Sequence, residues 1–448
     1  MALRMPVPVL KNGKLNKLMP HDRAAHDWYR FVLSFPPHLV RQYVERFQLN
    51  HRHTVLDPFC GTGTTLVECK KQAIPSIGIE AHSMACFASR VKTSWKVSPQ
   101  DLLDHAQTVG ERALRRLRLD GVEDGYFVQR GRPRPLNLRV LPPDLHRLIL
   151  KDSISPIPLH KVLVVLEEIE LERETSFYDY ERLALAKALV QSISNLEFGP
   201  EVGVGPPRSD APVVAAWLDC VSAMVDDLRE LQQLDSARAS AIEADSRVIE
   251  NVLPPQSVDA VITSPPYPNE KDYTRTTRLE SVLLGFLRSK DDLRAMKHGL
   301  IRSNTRNVYA DDDDDRWITN HPRIQQIATA IEARRIELGK TSGFERLYAR
   351  VTKLYFGGMM RHLKSLQKVL RPGAMLAYVV GDQASYLRVM IRTGEILADI
   401  AESLGYRRLG IDLFRTRLAT ATREQLREEV VVLQWGRGHL GNHPLGDH

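Results

Sequence analysis

Thr54-Val55-Leu56-Asp57-Pro58-Phe59-Cys60-Gly61-Thr62-Gly63-Thr64-Thr65 is the stretch that decides the fold. Thr54 to Leu56 reads as a short strand, Asp57 to Thr65 as a glycine loop, and Leu66 to Lys71 as the helix that follows. Gly61 and Gly63 let the chain turn tightly and let its backbone approach a ligand. Ser76 to Ile79 is a second strand, ending in Glu80, and Met84 to Lys92 is again helical. Strand, glycine loop, helix, strand and terminal carboxylate make the first half of a doubly wound α/β sheet. The glycine spacing differs from the G-x-G-x-x-G of dinucleotide sites, and no lysine follows as in a P-loop. Neither a pyrophosphate nor a triphosphate is the expected ligand.

The alternation breaks at Ser98 and resumes near Asp235. Between them lie three helical patterns, Asp101 to Leu119, Tyr180 to Ile193 and Val213 to Leu234, with Pro/Gly/Arg-rich loops at Gly131–Pro135 and Gly199–Pro212. This stretch is net acidic. Ala239 to Ala244 then reads as a strand ending at Asp245, and Val258 to Ile262 as the next. Lys271 to Lys368 is net basic, and its acidic run Asp311–Asp315 reads as a solvated loop. Arg371-Pro372-Gly373 reads as a turn before a strand at Ala374–Val380; Tyr406–Phe414 and Glu429–Trp435 read as a closing hairpin. The expected fold is α/β: a doubly wound, mostly parallel sheet closed by an antiparallel hairpin, carrying a helical insertion and a basic region. The expected divisions are 1–97 (first part of the catalytic domain), 98–235 (helical insertion), 236–274 (catalytic domain continued), 275–355 (basic segment), 356–436 (closing strands) and 437–448 (tail).

The chemistry is concentrated at Thr263-Ser264-Pro265-Pro266-Tyr267, which follows the strand at Val258. Two prolines fix the backbone and remove two N–H donors, leaving carbonyls free to accept. Ser264 adds a hydroxyl and Tyr267 a flat ring. Such a loop suits a planar group bearing an exocyclic amine, as a nucleobase does. At the end of the second strand a carboxylate such as Glu80 holds ribose hydroxyls in doubly wound folds. Asp245, ending the third, is placed to accept from an adenine amine. Glycine loop, ribose carboxylate and adenine-side carboxylate together suit S-adenosylmethionine.

Composition sets outer bounds. The chain has 448 residues, 43% hydrophobic and 26% charged, enough for two or three domains with a sizeable core. No apolar run approaches the roughly 20 residues that span a bilayer, and no apolar leader is apparent near the first methionine, so the expected location is cytoplasmic. Cys60, Cys69, Cys86 and Cys220 form no C-x-x-C pair, and no metal site is expected. The net charge of +7 permits nucleic-acid binding without requiring it.

Asp57 to Thr65, followed downstream by Thr263 to Tyr267, resembles the amino-methyltransferases of DNA, the S-adenosylmethionine-dependent enzymes of bacterial modification systems. Weaker likenesses extend it: His26-Asp27-Trp28-Tyr29 to Phe35-Pro36-Pro37, Glu80, Asp245, Leu370 to Asp382, and Glu428 to Trp435. About half the chain is covered. The resemblance implies a cofactor site of Phe35, Asp57, Phe59, Gly61, Gly63, Thr64, Thr65, Glu80 and Asp245. It implies a catalytic loop of Ser264, Pro265, Pro266 and Tyr267, acting on a base extruded from double-stranded DNA. A serine in first position leans toward cytosine N4 over adenine N6. The resemblance also allows for a cognate restriction endonuclease. The glycine loop precedes the Ser-Pro-Pro-Tyr loop here, whereas loops of the Asp-Pro-Phe type more often follow it, so the target-recognition region is not fixed by motif order. Charge favours the basic segment, because phosphate contact dominates affinity for DNA. Tyr273, Arg275, Arg278, Arg302 and Arg306 are the expected contacts. No cysteine follows a proline, as C5-cytosine chemistry would need, and Cys60 reads as a packing residue. An adenine-N6 enzyme, an RNA base methyltransferase and a non-catalytic DNA-binding relic stay open at this stage, as does the oligomeric state.

Overall fold

The computed structural model describes residues 18–30, 35–125, 137–199, 201–269, 271–418 (side chains to 416) and 425–436. The tail expected at 437–448 and the Gly131–Pro135 loop lie outside the described residues. Seven strands form one sheet: β1 (Val55–Asp57), β2 (Ser76–Glu80), β3 (Ala239–Glu243), β4 (Val258–Thr263), β5 (Leu370–Gly381), β6 (Arg407–Leu418) and β7 (Gln425–Gln434). Their order is β3-β2-β1-β4-β5-β7-β6. Neighbours from β3 to β5 pair parallel, and β7 runs antiparallel to both β5 and β6. This is the expected mostly parallel sheet with its closing hairpin.

Both faces of the sheet are covered. Helix α1 (Pro37–Arg46) packs Leu39, Val40, Tyr43 and Val44 against Ala260, Ile262, Ala377 and Val379. Val258, Val261, Leu376 and Tyr378 point the other way, into a second core. Coverage on both sides explains why Val55–Leu56 of β1 and Ala260–Ile262 of β4 are apolar at successive positions. The segment 371–373, expected as a turn, lies inside β5. Pairing shifts between Val258 and Ala260, and Gly373 has φ +90°. A bulge with glycine in the left-handed region accounts for a Pro-Gly pair within a strand.

Helices α2 (Thr64–Lys71) and α3 (Ser83–Lys92) flank the first strands. The insertion then builds on α4 (Pro99–Leu119), α5 (Pro156–Glu170), α6 (Tyr178–Ala188) and α7 (Val213–Leu231). Ser98 caps α4 by accepting from Asp101 N at 3.3 Å, and Leu102, Ala106, Val109, Ala113 and Leu117 form its buried stripe. At Gly110 a Cβ would lie 3.3 Å from Leu218 Cδ1, so α4 and α7 approach closely there. Helix α5 is absent from the sequence reading. Its residues 158–162 are all buried, His160 and Lys161 among them, so its polar residues mark no solvent face and leave no clear period to detect. The insertion shares one continuous core with Met84, Phe87 and Val91 of α3 and with Leu279, Val282 and Leu287. It is therefore packed onto α3 and the stretch 279–287 over a broad apolar contact.

The basic segment contains α8 (Lys290–Gly299) and α9 (Pro322–Glu337) and leads into α10 (Tyr348–Leu366); α11 (Thr393–Ser403) lies between β5 and β6. The acidic run at 311–315 is not simply a solvated loop. Asp312 accepts from Arg302, and buried Asp314 pairs with Arg247 and Arg361. Arg247 and Arg361 come from distant segments, which a charge run cannot announce.

Candidate active site

The carboxyl ends of β1, β2, β3 and β4 converge on one cavity of about 250 Å³. Phe59, Cys60, Gly61, Thr62, Thr64 and Glu80 form one part of its wall, Ala244 and Ser246 another. Ser264, Pro265, Pro266 and Tyr267 line it too, as do Phe35 and Tyr273. Loops at the carboxyl edge of a parallel sheet are where doubly wound folds hold ligands.

The glycine loop is held from below. Gly61 and Gly63 have φ of +51° and +86°, in the left-handed region. Gly61 N donates to Glu80 Oε2 at 2.8 Å, Ser89 Oγ donates to Gly61 O at 2.7 Å, and buried Lys92 Nζ donates to Thr62 O at 2.7 Å. Burial lowers the Lys92 pKa to about 7. A Cβ at Gly61 would meet nothing within 4 Å, so the backbone there is open to a ligand. Phe59 packs edge-on against His362 at 4.8 Å between centroids. His362 Nε2 lies 2.7 Å from Tyr378 Oη, and Nδ1 2.9 Å from Ser246 O. Burial holds this imidazole neutral, at about 4.

Three expected cofactor residues lie behind the wall. Asp57 is fully buried and accepts from Thr263 Oγ1 at 2.5 Å and from Phe59 N at 3.1 Å. Its Oδ2 has no hydrogen-bond partner in the interior, and burial pushes the carboxyl up to about 6. Thr65 Oγ1 donates to Ile262 O at 3.1 Å. Asp57 and Thr65 thus lock the end of β1 and the start of α2 to the end of β4. Gly63, as the left-handed N-cap of α2, is the third. Glu80 is in the wall, and its Oε1 accepts from His82 N at 2.8 Å; burial pushes it to about 7. Asp245 is outside the wall and is gripped by Arg247, whose Nη2 donates to Oδ2 at 2.7 Å. Ala244 and Ser246 on either side of it face the cavity instead.

In the Ser-Pro-Pro-Tyr loop, Ser264 Oγ donates to Val379 O at 3.2 Å. Tyr267 packs over Gly381, where a Cβ would come within 3.0 Å of the ring. Sequence reasoning missed Asn269, Lys271, Phe414, Arg415 and Glu428, which also line the cavity. Arg415 and Glu428 meet only through the register of β6 on β7, and no local spacing reveals that.

The expected DNA contacts divide by burial. Arg306 is exposed, near Glu201 and over the Phe344 ring at 5.8 Å. Arg302 is 1% exposed, with Nε donating to Asp312 at 2.9 Å and Nη1 to Lys297 O at 2.7 Å. Its position in the interior is set by that carboxylate. Arg278 donates to Thr274 O at 2.9 Å and to Leu148 O at 3.3 Å, tying the insertion to the loop after β4. Arg275 is half-buried, with Nε unpaired. Among the described residues no cluster of His, Cys, Asp or Glu is grouped to hold a metal ion, and no helix is long and apolar enough to cross a membrane.

Residues 12–89, which include the glycine loop and Glu80, match the N6/N4 methyltransferase family model, described as DNA methylase. The type II methyltransferase M.BsoBI of Geobacillus stearothermophilus is 25% identical over 438 residues, covering 90% of this chain and 82% of that one. M.AvaI of Anabaena variabilis, also a type II methyltransferase, is 23% identical over 420 residues, covering 87% and 80%. M.MjaII of Methanocaldococcus jannaschii is 37% identical over 67 residues, 15% of this chain and 12% of that one. The first two alignments run through the insertion and the basic segment as well as the sheet.

Proposed function

We propose that this chain is a DNA amino-methyltransferase, as the matched family model and relatives support, and that it methylates the N4 amine of a cytosine extruded from duplex DNA at a defined sequence, with S-adenosylmethionine as donor. The single observation that carries this is the shared cavity, lined by Ser264 to Tyr267 together with the open glycine loop and Glu80.

The residues present fit the cofactor. The glycine loop is open at Gly61, Phe59 offers a ring, and Glu80 offers a carboxylate. When bound, S-adenosylmethionine supplies an electrophilic methyl group on a sulfonium. Glu80 and the glycine loop would hold it. Asp57 and Thr65 act one layer further back, keeping the loop aligned with β4.

The acceptor side is built by Ser264, Pro265 and Tyr267. An exocyclic amine is a poor nucleophile because its lone pair is delocalised into the ring. Ser264 Oγ spends its own hydrogen on Val379 O, so its lone pairs are turned toward acceptance. With the Pro265 carbonyl it would take the two amine hydrogens and turn the nitrogen lone pair out of the ring plane. Acceptors fixed where positive charge develops lower the barrier without reorganisation. The nitrogen gains one methyl and sheds one proton. Tyr267 would stack on the extruded base, offsetting roughly 1–3 kcal/mol of the extrusion cost. The exposed arginines of the basic segment, Arg306 first, would meet the phosphates. The type II names of the relatives support a modification role, in which a cognate endonuclease would share the DNA site.

Ser264→Ala and Tyr267→Ala test this directly. Each is expected to lower methyl transfer at least about a hundredfold, with S-adenosylmethionine affinity by calorimetry unchanged. Transfer at the wild-type rate in both variants would remove the loop from the mechanism.

A further inference from the structure

The acceptor side of the cavity holds a charged pair with donors to spare. Arg415 of β6 and Glu428 of β7 stand opposite each other, and both line the cavity that holds Ser264 to Tyr267. Arg415 Nε donates to Glu428 Oε2 at 2.5 Å, and Nη2 donates to Oε1 at 2.9 Å. Gly381 of β5 faces Glu428 across the ladder. A Cβ there would come within 3.0 Å of Tyr267 Cε2 and 3.4 Å of Glu428 Cγ. Tyrosine ring, carboxylate stem and guanidinium therefore stand side by side on one wall.

A guanidinium carries five N–H donors in a planar fork. Glu428 takes one from Nε and one from Nη2. The outer face, formed by Nη1 and the second Nη2 hydrogen, makes no hydrogen bond among the described residues. The Arg415 side chain is only 20% exposed, so this face is held in place.

We propose that the outer face of Arg415 reads the edge of the extruded base beside the reacting amine, contacting ring N3 and the 2-carbonyl of cytosine. This rests on the N4-cytosine assignment above and adds the residue that enforces it. Cytosine presents two adjacent acceptors on that edge. Adenine presents one ring nitrogen followed by a C–H. A two-pronged donor is satisfied by the first and left with a desolvated N–H by the second, and unpaired polar groups give strong discrimination. Glu428 solves a second problem. Positive charge develops on the amine during transfer, and a bare guanidinium nearby would oppose it. The pair is neutral overall, yet its outer donors stay usable.

The test compares two duplexes carrying the enzyme's own site, located by methylation-sensitive sequencing. One has cytosine at the target. The other has a 2-aminopyridine C-nucleoside, which keeps the amine and the adjacent ring nitrogen but lacks the 2-carbonyl. Wild type is expected to lose about 10- to 100-fold in kcat/KM on the analogue, the effect of one charged hydrogen bond. Arg415→Met is expected to lose a similar factor on cytosine and to treat both duplexes alike within about threefold. Unchanged S-adenosylmethionine affinity by calorimetry certifies the fold of that variant. Should it fail, the double variant Arg415→Met/Glu428→Gln takes its place in the same comparison. Wild type indifferent to the missing carbonyl, or a variant as sensitive to it as wild type, overturns the assignment. N6-methyladenine as the wild-type product refutes the cytosine assignment itself, independently of how Arg415 variants behave.

Discussion

Gly63→Ala probes the device that shapes the glycine loop. Gly63 sits at φ +86° as the N-cap of α2, and a Cβ there would lie 2.9 Å from Ser89 Oγ. That hydroxyl donates to Gly61 O at 2.7 Å. Two costs add. An alanine in the left-handed region costs about 1–2 kcal/mol. Pushing Ser89 away forfeits its hydrogen bond, about 1 kcal/mol. The expected loss of unfolding free energy is about 2–3 kcal/mol, read from urea denaturation followed by circular dichroism. A double-mutant cycle separates the parts. Ser89→Ala alone loses about 1 kcal/mol, but in the Gly63→Ala background it loses almost nothing, because the bond is already gone. Gly63→Ala within about 0.5 kcal/mol of wild type, or strictly additive effects, would refute the reasoning.

Lys92 gives a pH prediction. Burial lowers its folded pKa to about 7 from 10.5. Between those values the unfolded state binds more protons, so its contribution to stability rises with pH. From pH 7 to pH 9, wild type should gain about 2 kcal/mol relative to Lys92→Met; a constant difference across that range would count against the depressed pKa. Arg306 and Arg302 should part company. Arg306→Ala is expected to weaken duplex binding and lower the salt slope by about one, with stability intact. Arg302→Ala is expected to destabilise by about 3–5 kcal/mol, because buried Asp312 loses its partner. Filter binding over a salt series and urea midpoints check both, and the reverse pattern would remove Arg306 from the DNA surface.

The parallel half of the fold was legible because its signals are local. Thr54 to Glu80 holds a strand, two glycines at required left-handed positions, a helix and a carboxylate at a strand end. The closing hairpin was legible as two strand-like runs, Tyr406–Phe414 and Glu429–Trp435, and the bulge at Gly373 was not, since a Pro-Gly pair ordinarily ends a strand. In the cavity, Ser264 to Tyr267, Phe59, Gly61 and Glu80 were readable from their motifs. Asp57 and Thr65 were read as cofactor contacts, yet their polar atoms turn inward to Thr263 and Ile262. Asp245 was read at a strand end without Arg247, two residues on, which claims its carboxylate. Arg302 looked like a surface cation because the sequence does not say that Asp312 folds back onto it. Arg415 and Glu428 come together by strand register alone. Pairings made by tertiary contact are the ones a linear pattern hides.

The proposed acceptor is the amine of a cytosine. Duplex DNA incubated with the protein and methyl-labelled S-adenosylmethionine, digested to nucleosides and analysed by mass spectrometry, tests it most directly. Label in N4-methylcytosine, lost in Ser264→Ala, is the predicted result. Label in N6-methyladenine, or none in DNA at all, would contradict it.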